Sequence, residues 1–139
     1  MTPTLYPHSP GDIDDLLLVE NNPRDIRFIE ETFSTSPLEV TVHSVSSSDA
    51  AIHFLQRRGD YADAPEPDLV FVNWNLVEMT DDEVVTTLQT DYSQIPLVIL
   101  TVSRTRVPTS HSSRADLVTE KPTDLEGYIE IVRAIAPGQ

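Results

Sequence analysis

The sequence predicts an α/β domain built on one doubly wound, five-stranded parallel sheet of order 2-1-3-4-5 between two helical layers. Three observations lead there. Strand and helix patterns alternate five times along 139 residues, a length that most simply makes one domain with a single core. The runs "IDDLLLVE", "DLVFVN" and "IPLVILT" are continuously apolar rather than alternating, as strands buried on both faces must be. Each then turns polar where the strand should end, which in an open parallel sheet gathers polar groups at one edge.

Taken in order, residues 1–11 hold three prolines and no apolar period, and are expected to form a flexible arm ahead of a single domain over 12–137. The first strand is 13–20. "NNPRDIRFIEETF" follows as a helix, with Asn22 as N-cap, Pro23 at the first helical position, and Ile26, Ile29 and Phe33 at helical spacing. "LEVTVHSV" (38–45) alternates and so belongs at a sheet border. "SSSDAAIHFLQRRG" (46–59) reads as a helix capped by Ser47 or Ser48 and stopped at Gly59. After a proline-bearing loop comes the strand 68–73. Residues 81–90 make a third helix with Asp81 and Asp82 in its first turn, and 95–101 a fourth strand. The stretch 102–115 is rich in Ser and Thr and broken by Pro108, so a loop or short distorted turn is expected there. "DLVTEKP" gives the last strand, and 123–136 an amphipathic helix capped by Thr123 or Asp124.

Composition excludes several classes of function. There is no cysteine, hence no disulfide, thiolate metal site or cysteine nucleophile, and a cytoplasmic location is expected. No apolar run is long enough for a bilayer, and the start lacks the pattern of a signal peptide. With 23 acidic against 9 basic residues, the formal net charge is −14 and the pI about 4.3. No basic face for nucleic acid can be assembled from that. Eight of the basic residues are Arg and one, Lys121, is Lys; an acidic, lysine-poor surface is the kind found in halophilic microbes such as haloarchaea.

The polar residues at strand ends are Glu20 and Asn21, Asn73, Thr101 and Lys121. The amide at 73 is decisive for chemistry. An Asp there would be an acid, a nucleophile or a metal ligand, whereas Asn only donates and accepts hydrogen bonds. Thr101, on an apolar strand, is equally a ligand contact or a hydroxyl bonded back to its own backbone. Trp74 either shields this crevice or covers the loop after it. The histidines at 8, 43, 53 and 111 are scattered without metal spacing.

The ordered set "LLLVENNPRD", "PDLVFVNWNLVEM", "IPLVILT" and "VTEKP" resembles the receiver domains of two-component response regulators, the CheY-like family of flavodoxin-like folds, over residues 13 to about 136. The loop "RRGDYADAPEPDLVFV" looks most like small stand-alone receivers associated with cyanobacterial phytochromes and their haloarchaeal relatives. The resemblance implies paired acids after the first strand holding Mg2+, an Asp after the third accepting a phosphoryl group, and a Thr and a Lys touching that group. Matched residue by residue, Glu20 keeps the first acid, Asn21 replaces the second, and Asn73 stands at the phosphoacceptor. Asn75 matches the residue whose carbonyl completes the metal shell; Thr101 and Lys121 match the phosphoryl-binding pair. The segment from Thr101 to Lys121 is about two residues short, and Val118 replaces the usual aromatic of the last strand.

These departures imply a pseudo-receiver: not an enzyme, but a protein-interaction module whose vestigial pocket comprises Glu20, Asn21, Asn73, Asn75, Thr101 and Lys121. Two carboxylates have become amides, so Glu20 and Lys121 balance each other with nothing bound. The degenerate Mg2+ site of Glu20, Asn21 and Asn73 is expected to hold that ion weakly or not at all, and no cofactor is expected. Lys121 is expected to pair with Glu20, with Asn21 and Asn73 adding hydrogen bonds. The expected partners are a histidine kinase, another receiver or a second copy of the chain, met through helical faces and the 102–115 segment. Two other readings follow from the same residues: a phosphorylatable regulator using Glu20, Asp81 or a deamidated Asn73, and a small-molecule-binding flavodoxin-like domain.

Overall fold

The computed structural model describes residues 13–34, 40–78 and 83–135; the expected amino-terminal arm, Asp81 and Asp82 lie outside them. Strands β1 (Asp15–Val19), β2 (Thr41–Val45), β3 (Leu69–Asn73), β4 (Leu97–Thr101) and β5 (Leu117–Glu120) form one parallel sheet of order β2-β1-β3-β4-β5. Between and after them run α1 (Pro23–Ser34), α2 (Ser48–Gln56), α3 (Trp74–Glu78), α4 (Glu83–Asp91), α5 (Thr109–Ser112) and α6 (Leu125–Ile135).

Successive side chains of a strand point to opposite faces, so each central strand feeds two cores. Leu16, Leu18, Phe71, Val98 and Leu100 pack with Ile29 and Phe33 of α1 and Tyr128, Ile131 and Val132 of α6. Leu17, Val19, Val70, Val72 and Ile99 pack on the other face with Ala51, Phe54 and Leu55 of α2 and Val84, Val85 and Leu88 of α4. Every residue of β3 and β4 is buried, which is why those runs carry no polar alternation. The edge strand β2 is half exposed, as its alternation predicts; the His43 ring packs at a tilt against Phe54 and meets Asp15 at 2.8 Å.

Carboxylates set the amino-terminal edge of the sheet. Asp68, just ahead of β3, accepts the N–H groups of Asp14 (2.9 Å) and Asp15 (3.1 Å), where β1 begins. Asp116, just ahead of β5, accepts that of Leu97 (2.7 Å), the first residue of β4. Both occur in the same tripeptide, Asp-Leu-Val.

Helix ends follow local chemistry. Asn22 Oδ1 accepts the Arg24 N–H at 2.9 Å, Ser47 Oγ that of Ala50 at 3.0 Å, and Asp124 Oδ1 that of Gly127 at 3.0 Å. Two expectations change. The second helix stops at Gln56 rather than Gly59, because Arg57 itself takes the left-handed conformation (φ 56°) with its Nε donating to the Ala64 carbonyl at 2.9 Å. A one-turn helix, α3, also forms directly after Asn73, where no element was expected. Its "WNLVE" run is too short to show a helical period beyond the buried Trp74 and Val77, and Asn75 and Glu78 tie the turn to the segment after β4. Among the described residues no helix is long and apolar enough to cross a membrane.

Gly127 lies against Pro122, which follows Lys121 in the chain; a Cβ at Gly127 would overlap the Pro122 ring. Helix propensity alone would favour Ala by about 1 kcal/mol. The clash should outweigh that, because overpacking commonly costs about 1–3 kcal/mol. We expect Gly127→Ala to lower stability in urea unfolding; a gain would show that α6 can move away from Pro122 freely.

Candidate functional site

At the carboxyl edge of the sheet, β1, β3 and β5 deliver Glu20, Asn73 and Lys121 to one buried spot. Glu20 is 1% exposed. Its Oε1 accepts three hydrogen bonds: the backbone N–H groups of Asn21 (3.0 Å) and Asn22 (3.1 Å), and Asn73 Nδ2 (3.0 Å). Its Oε2 makes no hydrogen bond of good geometry but faces Lys121 Nζ at 3.0 Å, an ion pair held by charge rather than by bond direction. Asn73, 6% exposed, is anchored at both ends of its amide, since its Oδ1 accepts the Asn75 N–H at 3.1 Å. That orientation is the one that satisfies both neighbours.

Other residues matched to the pocket do different work. Asn21 is exposed and reaches Glu20 through its backbone N–H; the side-chain hydrogen bond expected of it is absent, since its Cβ points to solvent where the chain turns into α1. Asn75 uses its side chain, accepting the Val102 N–H at 2.9 Å. Thr101 is fully buried and bonded into its own turn: its hydroxyl donates to the Ser103 carbonyl (2.9 Å) and accepts the Ser103 N–H (3.2 Å). It therefore serves the loop and makes no bond to Asn73.

The balance of charge is also different from that expected. A second carboxylate, Asp25, is buried (1% exposed) and lies 2.8 Å from Lys121 Nζ. The cluster is one ammonium between two carboxylates, not a neutral pair. Asp25 stands in the first turn of α1, where the helix dipole favours an anion. It also accepts the Tyr128 hydroxyl of α6 at 3.2 Å. Burial, reinforced by the Asp25 charge, holds the Tyr128 phenol well above its ordinary pKa. Asp25 escaped the sequence reading because an acid in a first turn has an everyday explanation as a dipole partner. The available signal was its place on the apolar ladder of α1, four residues before Ile29 and eight before Phe33.

A second set of bonds ties α3 to the 102–112 segment. Trp74 is buried; its Nε1–H donates to Glu78 Oε2 (2.9 Å), and its ring lies 5.7 Å from that of His111. Glu78 Oε1 accepts Arg106 Nε (3.0 Å) and Nη2 (2.6 Å), a two-pronged contact that lowers the Glu78 pKa. Trp74 thus packs against the segment that follows β4, which is neither of the two roles the sequence suggested for it.

Comparison with known proteins gives consistent relatives, although no family model matches the chain. The response regulator Rcp1 of Synechocystis is 29% identical over 124 residues, covering 86% of this chain and 84% of that one. The crystal structure of the phosphorylated cyanobacterial phytochrome response regulator RcpA superposes with a TM-score of 0.75 at 29% identity, over 88% of this chain and 91% of that one. The Mn2+-bound form of Rcp1 does so with 0.73, at the same identity and coverage.

The geometry fixes an order of costs. Lys121→Met leaves two buried carboxylates without a cation, whereas Glu20→Gln or Asp25→Asn leaves a paired residue. Breaking a buried pair costs about 3–5 kcal/mol, so Lys121→Met should fall in that range and exceed either carboxylate variant in denaturant unfolding. Tyr128 gives a pH dependence: its folded pKa is raised, so its contribution is fully present below the ordinary phenol pKa of about 10 and is lost as pH rises beyond it. Tyr128→Phe should flatten the alkaline arm of a melting-temperature profile and leave the neutral region's slope unchanged.

Proposed function

We propose that this chain, which by fold and sequence likeness is a receiver domain of the CheY-like response-regulator kind, acts as a pseudo-receiver: a protein-interaction module in a phosphorelay pathway that works without aspartyl phosphorylation. One observation carries the reading. The residue ending β3 is Asn73, whose amide is committed to Glu20 and to the Asn75 N–H and has no carboxylate oxygen to offer a phosphoryl donor. The hydroxyl that would meet such a group, that of Thr101, is engaged with Ser103 at both its donor and its acceptor.

Likeness to phytochrome response regulators supports a pathway of phytochrome-type signalling, and in this reading the partner is a histidine kinase, another receiver or a second copy of this chain. In this reading, recognition falls to the 102–115 segment and the helical faces beside it. The bonds from Asn75, Trp74 and Glu78 keep that surface in one arrangement. The acidic, lysine-poor composition fits a salt-rich cytoplasm, so assays belong in molar KCl.

Incubation with Mg2+ and acetyl phosphate is expected to add no phosphoryl group to the intact mass, and Mg2+ with beryllofluoride to leave the melting temperature unchanged. A gain of one phosphoryl group would overturn the reading and direct attention to Glu20, Asp81 or a deamidated Asn73 as acceptor.

A further inference from the structure

The pocket of a receiver calls for a divalent cation, and the donor set here does not fit one. Glu20 Oε1 is saturated by three N–H donors, and Asn73 turns Nδ2 rather than its oxygen inward. Where positive charge is wanted, an ammonium already stands within 3.0 Å of Glu20 Oε2 and 2.8 Å of Asp25 Oδ2. Glu20 alone does not account for that placement. Lys121 follows β5, three strands from β1 in the sheet order, and its side chain is ordered at 15% exposure. A flexible four-carbon stem loses considerable rotamer freedom in that state, and Glu20 Oε2 offers Nζ only charge, without a hydrogen bond of good geometry. What differs here is the second carboxylate. Asp25 is fixed by α1, by its burial and by the Tyr128 hydroxyl, so it meets Nζ with little freedom left to lose.

We propose that Asp25, backed by Tyr128, is the positioning residue that holds the Lys121 ammonium in the pocket as its permanent cation, in the place a divalent metal ion would require. The hold joins α1, α6 and the end of β5, so the last strand is tied to the opposite half of the domain without any ligand. This inference rests on the pseudo-receiver reading for its meaning, but on Asp25, Tyr128 and Lys121 alone for its geometry.

The test uses the fact that Lys121 is the only lysine of the chain. Its acetylation by an amine-reactive ester, followed by mass spectrometry of the peptide that contains it, reports one side chain in the full-length folded protein. Lys121 should react far more slowly than in the urea-unfolded chain. Asp25→Asn keeps a neutral Glu20–Lys121 pair, so it should fold, and it should speed the reaction by roughly tenfold or more, the equivalent of about 1.4 kcal/mol of lost restraint. Tyr128→Phe should give a smaller acceleration. An Asp25→Asn rate equal to that of the parent chain would overturn the assignment, and so would parent Lys121 reacting as fast as in the unfolded chain.

A second measurement follows binding of Mn2+ through its free-ion paramagnetic signal in molar KCl. Lys121→Met should gain one Mn2+ site absent from the parent and rise in melting temperature with Mn2+, while Asp25→Asn/Lys121→Met should lose most of that gain. A parent chain that binds Mn2+ as tightly as Lys121→Met would defeat the proposal. Phosphoryl gain tests the pseudo-receiver reading separately, since neither lysine reactivity nor Mn2+ affinity depends on whether a phosphoryl group is transferred.

Discussion

The single ammonium between two buried carboxylates is the interaction on which the rest of this edge depends. Glu20 and Asp25 come from consecutive elements, the end of β1 and the first turn of α1, and two like charges so placed need a cation nearby. Lys121 supplies it from the far side of the sheet. Around it, every strong donor has a fixed use: two backbone N–H groups and the Asn73 amide on Glu20, and the Tyr128 hydroxyl on Asp25. Such a buried cluster contributes little net stability compared with an apolar core of the same size, but it tolerates few alternative arrangements.

An amide rather than a carboxylate at residue 73 is consistent with that picture. A carboxylate at 73 would add a third negative charge beside Glu20 and compete for Lys121. The amide removes the charge and becomes a donor, turning repulsion into a hydrogen bond at 3.0 Å. The neighbouring loop is adapted in the same sense. Thr101 closes a small turn on Ser103, Asn75 holds the Val102 N–H, and Glu78 grips Arg106, so these polar groups are satisfied internally.

Much of this was legible in the sequence, and what was not has physical causes. The five strands could be read because β1, β3 and β4 are buried on both faces and so cannot conceal their period; the edge strand β2 revealed itself by alternating. The pocket positions of Glu20, Asn73 and Lys121 followed from where those strands end. Asp25 and Tyr128 stayed hidden because a first-turn acid and an aromatic on an amphipathic helix each have sufficient local explanations, and only tertiary packing brings them to 3.2 Å. The α3 turn was missed for a related reason: it is tied from outside by Asn75 to Val102 and by Glu78 to Arg106, contacts that "WNLVE" alone does not reveal.

The carboxylates of Asp68 and Asp116 have a wider meaning for how such a domain can diverge. They fix the entry of β1 and β4 into the sheet at the edge opposite the pocket, using the same Asp-Leu-Val tripeptide each time. Strand alignment is therefore held at the edge opposite the residues that line the site. The two ends of the sheet thus use separate carboxylates: Asp68 and Asp116 keep the scaffold in register at one, while Glu20 and Asp25 meet Lys121 at the other. A scaffold wired in this way can lose one chemistry and keep its shape, leaving that shape free to be put to another use.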